Sequence, residues 1–442
     1  MRSEWKGKPV GVLGAGKSGL AAARLLVRLG AKVLLSEHQL RLSVSVPRSV
    51  EVETGGHSRR LLKSALLIRS PGIPHISILD QAHRRRIPVW SELELASRLI
   101  HPRDLVAITG TNGKTTTTTL VGAFFKAAGR PTWVVGNIGT PLAEVVDRIT
   151  PKSSVVAEVS SYQLEDIETF HPTLSAILNI TPDHLDHHGS MRNYAAAKAR
   201  IFENQTGREV CVLNADDPGC RRLASRCRAR ILWFSRQKRL SHGIFYQHGQ
   251  IVFRWGGRHA TWPLKTSLPG PHNIENILAA SALALAAGIP ASLIQKALER
   301  FKGVEHRLEV VRTLRDVRYV NDSKATNVDS SRVALESFED PLLLIMGGRG
   351  KGVPYTPLKK LVKEHARQLL LIGEDAPRLT RDLGRVIPSE ECRTMQRAVQ
   401  RAAKLAQPGD VVLLSPACAS FDQYKNYEER GRHFKMLVRR LR

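Results

Sequence analysis

Val106-Ala107-Ile108-Thr109-Gly110-Thr111-Asn112-Gly113-Lys114-Thr115-Thr116 is the stretch that decides how the chain is read. Residues 105–108 form a short apolar strand, a loop bearing two glycines follows, and Lys-Thr-Thr opens a helix carrying Leu120, Val121, Phe124 and Phe125 along one face. Strand, tight loop and helix N-terminus together make a phosphate-binding loop. Backbone N–H groups there point at an anion, Lys114 brings a point charge to the outer phosphates, and the hydroxyl of Thr115 or Thr116 is placed for Mg²⁺. Ile108 stands where the usual GxxxxGK[ST] string has its first glycine, and Gly110 lies inside the loop, so a tighter loop than the standard one is expected.

Upstream, a strand at 9–13 meets Gly14-Ala15-Gly16-Lys17-Ser18-Gly19 and a helix with Ala21, Leu25, Leu26 and Leu29 on its apolar side; a second strand ends at Ser36-Glu37. GxGxxG followed by an acid at the end of the next strand is the dinucleotide-binding pattern. The same residues satisfy the formal phosphate-loop string from Gly11 to Ser18. Val12 and Leu13 would then have to be loop, and no strand precedes Gly11, so that string is set aside. Strands at 65–69, ending in Ser70-Pro71-Gly72, and at 89–91 continue an α/β domain expected to take a nucleotide diphosphate. An NAD-dependent oxidoreductase is the rival class for this part of the chain.

Downstream, a strand at 132–135 leads to Gly136-Asn137-Ile138-Gly139, and one at 154–157 ends in Glu158-Val159-Ser160-Ser161-Tyr162-Gln163-Leu164. A carboxylate at the carboxyl end of such a strand is placed for Mg²⁺. After a strand at 176–180, Thr181 reads as the N-cap of a helix with Pro182 at its first position. Asp183, His184, Asp186, His187 and His188 offer either metal ligands or a solvated helix start, and spacing leaves both open. Periodicity alone makes Lys198 an exposed lysine. A strand at 210–214 ends in Asp216-Asp217-Pro218, residues 231–263 are β-rich, and 269–276 cap an Ala-rich helix. From about 304, strands at 316–320, 342–346, 368–373 and 411–414 alternate with helices into a parallel doubly wound sheet. Lys324, Thr326, Lys351 and Ser420 on its loops suit a carboxylate ligand.

A length of 442 residues suggests about three domains. Hydrophobic content of 42% and charged content of 24% are ordinary, but the net charge of +27 is not. Its basic residues are scattered, denser only at 221–239 and 430–442, without interleaved aromatics. That pattern argues against specific nucleic-acid binding and for anionic small substrates, with weak contact to an anionic membrane surface allowed. The longest apolar run, 277–289, is too short to span a bilayer, and no segment has signal-peptide form. Five cysteines without a CxxC pair read as reduced thiols rather than zinc ligands. A cytoplasmic protein is expected.

Thr109–Thr116 together with Gly136-Asn-Ile-Gly139, Glu158-Val-Ser-Ser-Tyr-Gln-Leu164, Asn321-Asp-Ser-Lys-Ala-Thr-Asn327 and Leu414-Ser-Pro-Ala-Cys-Ala-Ser420 resembles the Mur ligase family, in the same order from about residue 9 to 434. The last two motifs are those of members that add D-glutamate. The resemblance implies an α/β chain of three domains: an N-terminal Rossmann-like UDP-substrate domain (1–101), a central phosphate-loop ATPase-like parallel sheet (102–303), and a C-terminal Rossmann-like doubly wound domain for the amino acid (304–442). It turns the first glycine motif into a UDP site. The implied reaction joins D-glutamate to UDP-N-acetylmuramoyl-L-alanine through an acyl phosphate, with ATP as co-substrate and two Mg²⁺ sites. A sibling amino-acid-adding ligase, including the folate-polyglutamating enzymes, is the nearest alternative.

By the same resemblance, Gly110, Thr111, Asn112, Gly113, Lys114, Thr115, Thr116, Asn273, Asn276, Arg307, Asp322 and Lys324 bind ATP. Gly16, Lys17, Ser18, Glu37, Ser70, Asn137, Ser160 and Gln163 lie along the UDP-substrate path, and Thr326, Lys351, Ser420 and Phe421 take D-glutamate. Lys114, His184 and Lys198 are the implied catalytic residues. Thr115 and Glu158 hold one metal ion, His184 and Lys198 the other, the lysine being carbamylated in the family. A monomer acting on small molecules is expected. Three departures stand out: Glu37 replaces an aspartate, Lys17-Ser18 is more basic than usual, and Arg349 stands where relatives often carry an acid.

Overall fold

Short Val/Leu/Ile runs alternating with amphipathic helices build three sheets in the computed structural model, which describes residues 4–42 and 44–442. The first holds β1 (Pro9–Leu13), β2 (Lys32–Glu37), β3 (Val50–Thr54), β4 (Leu66–Arg69) and β5 (Val89–Ser91) in the order β3-β2-β1-β4-β5, all parallel. Central strands covered on both faces read as unbroken apolar runs, as β1 and β4 do. The edge strand β3, Val-Glu-Val-Glu-Thr, was not expected from the sequence; only its first residue is buried.

The second sheet contains β6 (Asp104–Thr109), β7 (Thr132–Gly136), β8 (Ser154–Glu158), β9 (Leu174–Ile177), β10 (Val210–Asn214), β11 (Arg230–Ser235), β12 (Gly243–Gln247), β13 (Gln250–Trp255) and β14 (Arg258–Pro263). Its order is β14-β13-β12-β11-β10-β9-β6-β8-β7, parallel from β7 to β12 and antiparallel across β12, β13 and β14. That terminal meander is the β-rich segment expected at 231–263.

The third sheet runs β15-β16-β20-β17-β18-β19, from β15 (Glu309–Leu314), β16 (Val317–Asn321), β17 (Leu342–Gly347), β18 (Ala366–Ile372), β19 (Ser389–Arg393) and β20 (Val411–Leu414). Only β15 pairs antiparallel. The chain divides into two compact units, 1–266 with 275–301, and 267–274 with 302–442, so the first unit carries two sheets and the second unit one. Among the described residues no helix is long and apolar enough to cross a membrane.

Within the first unit, the two sheets are joined by buried charge as well as apolar packing. Glu94, fully buried on the helix Glu92–Ser97, accepts hydrogen bonds from the N–H groups of Glu168, Thr169 and Phe170, from the Thr169 hydroxyl, and from Arg98. Arg69, at the end of β4, reaches Glu165 and Asp166, each at 3.3 Å. A hydrophobic core including Leu25, Leu93, Leu142, Val155 and Phe202 runs through the same region.

Candidate active site

β6 delivers the phosphate loop to the carboxyl edge of the second sheet. Gly110 and Gly113 adopt φ of 155° and 83°, conformations that side chains disfavour, and a Cβ on Gly113 would lie 2.2 Å from Asn276 Oδ1. The segment that follows the neighbouring strand β9 shapes the loop from beside it. Thr111 N donates to the Asn179 carbonyl, Asn112 N donates to Asn179 Oδ1, and Asn179 Nδ2 returns a bond to Asn112 O. Nothing in the sequence pattern had singled out Asn179.

Thr181 does not cap a helix. Its N–H donates to Thr111 Oγ1, whose hydroxyl contacts Thr181 O and Tyr194 Oη, and the helix begins only at Leu185, after His184 at φ 53°. A tertiary bond to the phosphate loop outcompetes the local cap.

Lys114 opens the helix Lys114–Ala127 and its Nζ donates to the Gly110 and Thr111 carbonyls, both at 2.8 Å, setting its charge over the loop. Thr115 Oγ1 donates to Glu158 Oε2 at 2.7 Å, while Asn137 Nδ2 holds the other carboxylate oxygen at 2.9 Å. Thr116, on the same turn, is buried. Threonine hydroxyl and carboxylate are hard oxygen donors side by side, a pair that fits Mg²⁺.

Lys198 is 1% exposed, against the surface position its periodicity suggested. Burial first, and then the charge of Lys114, push its ammonium well below the ordinary lysine range. Its Nζ donates to the Gly110 carbonyl at 2.9 Å. An amine in that role has no place for a cation, so Lys198 fits a metal only after conversion to an oxygen ligand. His184 contacts Tyr162 Oη at 3.1 Å through Nδ1 and lies 3.4 Å from Asp183 Oδ2.

The first glycine motif is equally tight. Gly14 has φ 91°, and a Cβ on Gly19 would sit 1.9 Å from the Gly14 carbonyl, which Ser70 Oγ also contacts. Glu37 Oε2 accepts the Ala15 N–H at 2.8 Å, so the acid ending β2 braces the glycine turn, with Gly16 and Lys17 left exposed and Ser18 half-buried. Gly11 lies inside β1, where a Cβ would meet Leu67 and Leu61 side chains at 2.6 and 2.7 Å; it serves packing, not phosphate. Ser160 caps the short helix Ser161–Glu165 with Gln163 Oε1 returning the bond, leaving the buried Gln163 Nε2 without a partner.

In the second unit, Asp322, 1% exposed, accepts from the Leu308 N–H and the Ser415 hydroxyl, and burial pushes its carboxyl up to about 6. Lys324 Nζ lies 5.5 Å from the Tyr427 ring centroid, and Thr326 follows on the same loop. Arg349 and Ala419 exchange two backbone hydrogen bonds, tying the loop that carries the exposed Lys351 to the one carrying buried Ser420 and exposed Phe421. Arg349 itself pairs with Glu374, at the surface. Asn273 donates to Pro269 O, and Arg307 N to Val304 O. Arg430, which sequence reasoning passed over, is buried and donates to Ser323 Oγ and to the carbonyls of Ser323, Cys418 and Ala419.

Residues 108–284 match the Mur ligase middle domain and 306–418 the Mur ligase glutamate ligase domain. A UDP-N-acetylmuramoylalanine–D-glutamate ligase from Koribacter versatilis is 46% identical over 99% of this chain and 98% of its own; one from Elusimicrobium minutum is 43% identical over 99% of both. Among solved structures, the MurF ligase of Thermotoga maritima in complex with ADP superposes with a TM-score of 0.63 at 17% identity, covering 100% of this chain and 97% of that one. Two family regions in sequence order, in a chain with full-length relatives near half identity, show that this protein belongs to the Mur ligase family.

Proposed function

We propose that the chain is an ATP-dependent ligase that joins D-glutamate to UDP-N-acetylmuramoyl-L-alanine, releasing ADP and phosphate. The observation that carries the reading is the phosphate loop, where Lys114, the Thr115–Glu158 pair and Lys198 gather around residues 110–115. Its substrate identity rests on the full-length relatives, which bear that enzyme's name. Family membership sets aside the oxidoreductase reading of the first glycine motif.

A carboxylate does not condense with an amine directly, because its oxygen is a poor leaving group. The substrate carboxylate oxygen attacks the ATP γ-phosphorus, and the bond to ADP breaks. Lys114 offsets charge on the transferring group, while the N–H groups at the start of the helix Lys114–Ala127 hold the phosphates in line. The amine nitrogen of D-glutamate then attacks the acyl carbon, phosphate leaves with the C–O bonding pair, and the proton lost by the amine passes to the departing phosphate. Mg²⁺, when bound, would screen the phosphate oxygens; Thr115 and Glu158 would hold one ion, His184 and a carbamylated Lys198 a second. The neutral amine favoured by burial is the form that takes up CO₂, which supports the carbamate.

Gly16, Lys17, Ser18, Glu37, Ser70, Asn137, Ser160 and Gln163 are assigned to the UDP substrate, the unpartnered Gln163 Nε2 being a donor ready for it. Asn273, Asn276, Arg307, Asp322 and Lys324 are assigned to ATP, and Thr326, Lys351, Ser420 and Phe421 to D-glutamate. Three domains, 1–101, 102–303 and 304–442, correspond to the three sheets in this reading, the first and third Rossmann-like. A cytoplasmic monomer acting on small molecules completes it.

Phosphate release by purified protein with Mg²⁺-ATP and UDP-N-acetylmuramoyl-L-alanine tests the proposal, with D-glutamate, L-glutamate, meso-diaminopimelate and L-alanine offered separately. Release with D-glutamate alone is expected. Release with another amine would move the chain to a sibling activity, and no release with any would overturn the reading.

A further inference from the structure

The run from Asp183 to His188, open in the sequence between metal ligands and a helix start, divides in the structure. His184 turns to Tyr162, whereas His187 and His188, on the short helix Leu185–His188, both face Glu165. His187 Nε2 lies 3.0 and 2.9 Å from the two Glu165 oxygens, and His188 Nδ1 lies 3.0 Å from Glu165 Oε1. These donor atoms all fall within 4.8 Å of one another. We propose that Glu165, His187 and His188 form a binding site for a borderline divalent cation of the Zn²⁺ or Co²⁺ type, separate from the hard-oxygen Thr115–Glu158 pair.

Two imidazoles and one carboxylate are a donor set that zinc accepts while keeping a fourth position open. Mg²⁺ prefers oxygen and keeps its waters, so the two sites select different ions. A tetrahedral ion with bonds of about 2.1 Å spaces its ligand atoms about 3.4 Å apart. Admitting one opens the contacts to Glu165 by about 0.4 Å and brings the two histidine nitrogens, which lie within 4.8 Å of each other, to the same spacing.

The surroundings suit that role. Ser161 Oγ lies 3.0 Å from His188 Nε2, the kind of outer hydrogen bond that fixes a ligand tautomer and leaves Nδ1 free to coordinate. The two imidazole rings are nearly perpendicular, at 88°, and so approach the carboxylate from different directions. Arg69 occupies Glu165 Oε2 at 3.3 Å and is itself offset by Asp166, leaving Oε1 as the monodentate ligand. His187, with Asp186, Tyr162 and His75, lines a cavity of about 580 Å³, so the cluster meets open space on its His187 side.

The test uses full-length protein stripped with a chelator, held in excess Mg²⁺ and titrated with Co²⁺ as an optical probe. One equivalent is expected to bind with the visible ligand-field bands of a four- or five-coordinate ion, and one equivalent of Zn²⁺ should displace it. His187→Gln and Glu165→Gln, each checked for the wild-type circular dichroism spectrum, should weaken binding by at least about 100-fold, while Glu158→Gln should keep it. No stoichiometric binding by the wild type, bands that persist in both cluster variants, or bands lost in Glu158→Gln would each overturn the assignment. The readout is optical, so it stands apart from the outcome of the ligase assay.

Discussion

Lys198 and Lys114 share one acceptor: their ammonium nitrogens lie 2.9 and 2.8 Å from the same Gly110 carbonyl oxygen. Two full charges on one carbonyl repel, and burial first, then the charge of Lys114, hold the Lys198 ammonium well below the ordinary lysine range. Lys198→Ala is expected to lower turnover by about 10²–10³-fold, with partial recovery in millimolar formate or acetate. Carbon-13 NMR of wild-type protein in labelled bicarbonate should show a carbamate resonance that the variant lacks. Full activity in Lys198→Ala would sink the assignment.

Glu158 spends both oxygens, one on Thr115 and one on Asn137. Glu158→Gln keeps the shape and removes the negative charge, so the fold should survive while the Mg²⁺ concentration needed for half-maximal phosphate release rises by about tenfold or more. An unchanged Mg²⁺ dependence would mean that the cation is held elsewhere.

Glu92 and Glu94 lie two residues apart and respond to pH with opposite sign. Glu92 is fully buried with Oε2 unpartnered, and burial raises its carboxyl from the ordinary 4.5 to about 7. A raised folded-state value means that the folded state binds the extra proton, so stability falls as pH climbs from about 4.5 to about 7, by roughly 3 kcal/mol. Urea melts should therefore show Glu92→Gln gaining on wild type by about that amount between pH 5 and pH 8. Glu94 is opposed by burial, yet its hydrogen bonds hold it below the ordinary carboxylate range. Its stabilisation is present above the unfolded-state value and disappears as pH falls through the folded one, so Glu94→Gln should narrow its deficit to wild type in acid. A parallel pH response of the two variants would refute this pairing.

Arg430 is buried among carbonyl oxygens of the loops that follow β16 and β20, and burial lowers its guanidinium to about 10. Arg430→Met leaves those acceptors bare and should cost about 3–5 kcal/mol; Arg430→Lys should recover little of it, since an ammonium cannot reproduce the planar fork. Denaturant unfolding monitored by near-UV circular dichroism measures both. A lysine variant as stable as wild type would show that charge alone suffices.

Much of this was legible in the chain, for identifiable reasons. β1, β10 and β20 match their apolar runs residue for residue, because central parallel strands must be apolar on both faces. β3 and β19 were missed because edge strands rich in Glu carry no such run. Lys114, Thr115 and Glu158 could be placed from local spacing. The burial of Lys198, the brace from Asn179 and the diversion of Thr181 all depend on elements far away in sequence, and no window of neighbouring residues contains them.

Glu94 carries a thermodynamic meaning beyond its place in the core. Its acceptors hold donors from residues 168–170 while its own helix belongs to the first sheet's connections. Separating those two sheets would strand an anion and bare three amide groups in the same event, at about 1.5–3 kcal/mol for each charged bond lost. The first 300 or so residues should thus melt in one calorimetric transition, with no stable fragment that keeps the phosphate loop and sheds the amino-terminal sheet.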